Sequence, residues 1–212
     1  VNVFAAYAVF AIMVSVCAPQ RTAAGELPDL YFVDAHSQLP RGLDVEDIIP
    51  LMDKAGVRHT ILSARNDRTP QDVADFATAH PERITAAVRS KGKAFNSGSP
   101  KLKQLIKGQT SLPIFQALAE ILMFHAQKGK KAPKIEVSAE SPQVQMMLKI
   151  ALKKNWPFIA HYEFAAAGLN KSALMSEFET LVKAHPEHPF LLIHMGQLNV
   201  EEATRLLSTY DN

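Results

Sequence analysis

At 212 residues, with 47% apolar and 21% charged side chains, the chain has the balance of a folded protein and room for one domain with a large core, which excludes an intrinsically disordered chain. A formal net charge of +2 excludes a strong general attraction to nucleic acid. The single cysteine, Cys17, excludes an intramolecular disulfide framework and a thiolate metal cluster.

Residues 1–24 read as a segment apart from the fold. Val1 to Ala18 is almost continuously apolar and is followed by Pro19-Gln20-Arg21 and the small residues Thr22-Ala23-Ala24. The pattern predicts a secretory signal peptide cut near Ala24, although the chain opens on Val and carries no Lys or Arg before the apolar run. An uncleaved membrane anchor is the alternative, since the run is about long enough to span a bilayer, and a lipoprotein cysteine at Cys17 is a third. Each reading places the folded part, residues 25–212, outside the cytoplasm, periplasmic or secreted.

From Tyr31 onward, short β-branched or aromatic runs alternate with longer helical patterns, which predicts βα units and a parallel sheet. The first strand is Tyr31 to Ala35. Asp44 then caps a helix from Val45 to Ala55, Gly56 stops it, and Pro50 should kink it or shift its start. The second strand is His59 to Ser63, after which Thr69 caps and Pro70 opens a helix to Ala79. The third strand is Ile84 to Val88. Ser90 to Lys107, with Gly92, Gly98 and Pro100 among lysines, reads as an excursion or lid loop. Pro113 to Gln127 reads as an amphipathic helix with Ile114, Leu118, Ile121, Leu122 and His125 on one face, which makes His125 a core-edge residue.

A fourth strand is expected over Lys134 to Ala139, and Ser141-Pro142 opens a helix to Lys154. The fifth strand is Phe158 to His161, followed by a helix from Lys171 to Ala184. The sixth is Phe190 to His194, and Asn199 caps a last helix, Val200 to Ser208. Six βα units do not close a barrel, which needs eight. An open doubly wound sheet could stop at six, but Ser37 to Gly42 lacks the GxGxxG spacing of a phosphate loop. The Val start and the stop after the sixth unit predict a partial reading frame. The lysines at Lys101, Lys103 and Lys107, and from Lys128 to Lys134, lack interleaved aromatics and read as solvated surface.

Three of the predicted strands end in histidine: Tyr31-Phe-Val-Asp-Ala-His36, Pro157-Phe-Ile-Ala-His161 and Pro189-Phe-Leu-Leu-Ile-His194. In a parallel sheet all three imidazoles gather at the carboxyl ends of the strands, where barrel enzymes carry their chemistry. Converging neutral imidazoles suit a divalent metal, or a metal plus a general base, whereas each taken singly also reads as a structural strand-end histidine. Arg65, Asn66 and Arg68 follow the second strand and Arg89 the third. A guanidinium there could hold a substrate carboxylate or serve a surface salt bridge. Tyr162 and Glu163 follow His161 and are candidates to line the pocket. His80, His185 and His188, each before proline, belong to turns at the opposite end of the strands and read as structural.

These motifs resemble the amidohydrolase superfamily, in particular its amidohydrolase-related branch of metal-dependent barrel hydrolases and decarboxylases. The resemblance covers Tyr31 to Asn212 and rests on Phe32-Val-Asp-Ala-His36, Pro157-Phe-Ile-Ala-His161 and Leu191-Leu-Ile-His-Met-Gly196. It implies an α/β, (β/α)8 TIM-barrel-like fold of which six of eight units are present. It also implies metal ligation by His36 and His161, while His194 binds a second metal or orients and polarises the attacking water. The strand-one His-x-His of the family is here His36-Ser37-Gln38, so Gln38 would offer a carbonyl oxygen in place of an imidazole. The family's strand-eight Asp has no counterpart before Asn212. The bridging strand-four Lys is absent from Ile135 to Glu140, which implies one metal; Glu140 could bridge, or lead a helix as a surface carboxylate. Zinc is the default ion, with manganese or iron as alternatives. The expected activity is metal-dependent hydrolysis of an amide, ester or lactone in a small-molecule substrate. The alternatives are a metal-dependent decarboxylase, or a non-catalytic barrel relative that lost metal binding through Gln38. The reading assigns no nucleic-acid partner, allows membrane contact only through an uncleaved N-terminal segment, and leaves a homo-oligomer open.

Overall fold

The structure is a computed structural model and describes residues 30–212 apart from Lys91 and Lys131. The predicted signal segment therefore lies outside the described residues. No helix among the described residues is long and apolar enough to cross a membrane.

The first half alternates strand and helix as its turn chemistry dictates. The order is β1 (Phe32–Leu39), a 3-10 turn (Val45–Asp47), α1 (Ile48–Lys54), β2 (Val57–Ala64), α2 (Pro70–Ala79) and β3 (Ile84–Val88). The Asp44 side chain accepts from Glu46 N, and Pro50 ends up third in α1, in the first turn, where its missing N–H has no intrahelical partner to lose. Gly56 ends the unit at φ +68°, a left-handed stop that a side chain would resist. In α2 the expected cap is a full capping box, Thr69 Oγ1 accepting from Asp72 N at 3.2 Å while Thr69 N donates to Asp72 Oδ2 at 2.6 Å.

The expected lid loop over Ser90 to Lys107 is instead two helices, α3 (Lys93–Asn96) and α4 (Lys101–Thr110). Helix α4 buries Leu102, Ile106 and Gln109, an i, i+4, i+7 stripe that the intervening lysines and Gly108 mask in the sequence. Gln109 ties the helix to the sheet: Arg89 N donates to its Oε1 at 2.8 Å, and its Nε2 donates to Arg89 O at 3.3 Å.

The largest departure is Pro113 to Gln127. It is not a helix but β4 (Phe115–Leu118) and β5 (Ile121–His125), with only Ala119 and Glu120 between them. From Phe115 to Phe124 every residue except Gln116 is buried. A strand covered on both faces loses its alternation and reads as a continuous apolar run, which periodicity alone does not separate from a helix. The expected fourth strand shrinks to β6 (Ile135–Glu136), the antiparallel return of a hairpin from β5. Then follow α5 (Pro142–Lys154), β7 (Phe158–Tyr162), α6 (Lys171–Ala184), β8 (Phe190–Leu192) and α7 (Val200–Thr209), the last held by a capping box between Asn199 and Glu202.

The strands form two four-stranded sheets, β1-β2-β3-β4 and β6-β5-β7-β8, parallel throughout except for β6. Near-continuous β4 and β5 carry the chain from one to the other. In a flat sheet β1 and β4 would stand three spacings apart, about 14 Å. Yet His36 Nε2 on β1 lies 2.9 Å from Glu120 Oε2, just beyond β4. The first sheet must therefore curl, and its concave face collects the strand-end side chains. The fold is thus α/β with curled parallel sheets. Among the described residues β1 and β8 are not paired with each other, so the sheets do not close into a ring, the open form that the sequence predicts.

Candidate metal centre

His161 and Glu163 lie two residues apart at the end of β7, so they share a face, and both are buried. Tyr162 between them takes the other face. Its hydroxyl donates to Glu177 Oε1 on α6 at 2.8 Å and its ring stacks on Phe164 at 4.8 Å. Burial and the Glu177 carboxylate push the phenol pKa up. Tyr162, expected to contact substrate, belongs instead to the layer between sheet and helices.

His194 arrives by a different route. The strand ends at Leu192, two residues earlier than expected, and Ile193–Gln197 forms a tight turn. His194, Met195, Gly196 and Gln197 all have positive φ, from 39° to 59°. A Cβ at Gly196 would stand 2.7 Å from Phe164 Cδ2 and 2.9 Å from Leu192 Cδ2, so only glycine fits. This turn brings the His194 ring edge-on to His161, with centroids 4.6 Å apart.

Three donor atoms then converge. His161 Nε2 lies 3.4 Å from His194 Nε2 and 3.4 Å from Glu163 Oε1, and all three lie within 4.8 Å of one another. A tetrahedral ion with bonds of about 2.0–2.1 Å has ligand-to-ligand edges of about 3.3 Å, so the two 3.4 Å edges fit such an ion.

Two of the three donors are held in the form that binds a cation, Glu163 ionised and His194 neutral. Burial opposes ionisation of Glu163, but the Lys128 ammonium at 2.5 Å from Oε1, the Ala126 N–H at 2.9 Å from Oε2 and nearby His125 outweigh it and pull the carboxyl down to about 2. Partial burial, then the neighbouring His161 ring, hold His194 below the ordinary imidazole range, which keeps it neutral with a lone pair at pH 7. A testable consequence concerns acid. Glu163 has a folded pKa depressed below the ordinary carboxylate value of 4.5, so its stabilising contribution is present above about pH 4.5 and is lost as pH falls toward 2. In acid-unfolding curves Glu163→Gln should lose less stability than wild type across that window; superimposable slopes would show that the carboxylate is not held as charged.

A second set lies beside the first. His36 Nε2 is hydrogen-bonded to Glu120 Oε2 at 2.9 Å, and Gln38 Nε2 donates to the same oxygen at 3.2 Å. Glu120 Oε1 is 3.6 Å from His161 Nδ1, a nitrogen that is buried and makes no hydrogen bond among the described residues. His161 therefore stands between two carboxylates, Glu120 on its Nδ1 side and Glu163 on its Nε2 side. His36 and Gln38, expected as metal ligands with His161, are gathered on Glu120 and are not among the three converging donors. Glu120 is not legible as a site residue in the sequence because its apolar run also fits a buried helix; its only signal there is a lone carboxylate inside that run. His125 likewise moves from a supposed core edge to the site, its Nε2 3.8 Å from Glu163 Oε1.

The expected substrate-binding arginines are placed otherwise. Arg89 Nη1 donates to Asn66 O at 2.8 Å and to Arg68 O at 3.5 Å, bracing the β2–α2 loop, and Arg65 is exposed on that loop. Neither hydrogen-bonds to the histidine–glutamate set among the described residues. Glu140 is exposed at the head of α5, where its N donates to Ser138 Oγ, and it bridges nothing in the centre. His188, as expected of a structural residue, is buried with its ring edge-on to Phe190.

No protein-family model and no curated protein matches this sequence. Among solved structures, the chain is similar to 2,6-dihydroxybenzoate decarboxylase from Rhizobium at 17% identity and a TM-score of 0.46, over 78% of this chain. The same enzyme complexed with 2,6-dihydroxybenzoate gives 17% and 0.47 over 79%. A protein described as a probable 2-pyrone-4,6-dicarboxylic acid hydrolase from Acinetobacter baumannii, with citric acid bound, gives 15% and 0.44 over 84%. This chain spans 66% of the length of each, just under two thirds.

Proposed function

We propose that the chain is a metal-dependent hydrolase of the amidohydrolase type, acting on an amide, ester or lactone in a small-molecule substrate. The observation that carries this reading is the convergence of His161 Nε2, Glu163 Oε1 and His194 Nε2 with two edges of 3.4 Å at the carboxyl ends of parallel strands. In this reading those three atoms hold one divalent ion, zinc by default for a histidine-rich set. Bound there, the ion would supply an activated water and polarise the scissile carbonyl.

The protein's own groups do the rest. Glu163 enters as a fixed anion, offsetting part of the cation's charge in a buried position. His194 is the exposed member of the three, so substrate would reach the centre past this ring. Glu120 Oε2 holds His36 Nε2, and a proton can pass between these two atoms, giving the centre an imidazole–carboxylate pair for acid–base work. The apolar run in residues 1–24 supports a periplasmic or secreted setting.

The test is metal content and turnover together. Purified full-length chain should hold about one divalent ion and hydrolyse members of an ester, lactone and amide panel, with activity lost to chelator and restored by zinc, manganese or cobalt. Hydrolysis that persists in metal-free protein would overturn the proposal. Carbon dioxide release from an aromatic acid, without hydrolysis, would assign the centre to decarboxylation.

A further inference from the structure

The hairpin between β5 and β6 brings a cation of its own to this centre. Lys128 Nζ lies 2.5 Å from Glu163 Oε1, the same oxygen that stands 3.4 Å from His161 Nε2. Ala126 N donates to the other oxygen, Oε2, at 2.9 Å, and Lys128 N pairs across the hairpin with Ala132 O at 2.8 Å. Glu163 N also donates to Phe124 O of β5 at 3.2 Å, so Glu163 fastens the hairpin to the end of β7 through its own N–H and, by its carboxylate, through the Ala126 N–H and the Lys128 ammonium.

The two partners differ in freedom. The Glu163 side chain is 2% exposed and fixed at the strand end, whereas the Lys128 side chain is 57% exposed on a flexible four-carbon stem. An ion bonded to Oε1 would stand within a few ångströms of the ammonium on the same oxygen, and two cations so close repel strongly. The lysine can swing into water at little cost; the glutamate cannot follow it.

We propose that Lys128 is an internal competitor for the metal centre: its ammonium occupies Glu163 until a divalent ion displaces it, and displacement frees the Lys128 arm of the hairpin. The proposal rests on the metal reading above. It makes loading of the ion and loosening of the hairpin tip one event, with Ala126 N–H keeping its bond to Oε2.

The experiment is a cobalt titration of the full chain, read by absorption and calorimetry, for wild type, Lys128→Met and Lys128→Arg. Removing the competing charge should tighten cobalt binding about tenfold in Lys128→Met, while Lys128→Arg, which keeps the charge, stays within about twofold of wild type. In wild type, saturating cobalt should also speed tryptic cleavage after Lys128 relative to cleavage after Lys154 in helix α5, a readout that needs no variant. Equal cobalt affinity in wild type and Lys128→Met, or unchanged relative cleavage after Lys128, overturns the competition and leaves the metal reading standing. No cobalt uptake by either protein overturns the metal reading and the competition with it.

Discussion

Replacing Gly196 with alanine should cost about 2–5 kcal/mol of folding stability, the sum of a left-handed backbone penalty of about 1–2 and an overpacking penalty of about 1–3. The first part follows from φ +59°, the second from a Cβ that would meet Phe164 Cδ2 at 2.7 Å and Leu192 Cδ2 at 2.9 Å. Phe164 cannot yield easily, because it is fully buried and stacked on Tyr162. The damage should also reach the centre. His194 lies two residues before Gly196 in the same left-handed turn, so relaxing the turn moves its Nε2 away from His161. Urea unfolding and cobalt titration of the variant should both report losses. A stability change below about 1 kcal/mol would show that the turn relaxes without strain and does not aim His194.

His161→Ala should weaken divalent-ion binding at least about a hundredfold, because it removes the donor common to both 3.4 Å edges. His36→Ala should change it by less than about threefold, since His36 is bound to Glu120 and is not among the converging donors. The comparison decides between two ligand sets. The sequence reading grouped His36, Gln38 and His161; the structure converges His161, Glu163 and His194. Equal losses from His36→Ala and His161→Ala would place the ion on the Glu120 side and overturn the second grouping. Calorimetry on the two variants in parallel with wild type reads the difference directly.

Much of the local structure was legible because it is set by short-range chemistry. Thr69-Pro70 and Asn199 announce their helices through side chains that satisfy exposed N–H groups, and both form full capping boxes. Ile84 to Val88 and Lys171 to Ala184 fall where the pattern put them, since each is a uniform run between clear turn residues. The stripe of α4 was hidden because Leu102, Ile106 and Gln109 are few, and one of the three is polar.

The amino-acid sequence by itself determined the alternation of strands and helices, most of the caps, and the placing of His161 and His194 near the carboxyl ends of strands, whereas β1 runs on past His36 to Leu39. Those features depend on neighbours within a few residues. Only the tertiary structure decided that Phe115 to His125 is extended, because burial on both faces erases the period that would have identified it. That decision carried Glu120 and His125 into the centre. It was also the tertiary structure that chose which side chains meet. The curl of the sheet brings β1 to Glu120, and the left-handed turn after β8 brings His194 to His161. Both depend on packing between residues tens of positions apart, Phe164 against Gly196 and Glu120 against His36, and no local pattern encodes such contacts.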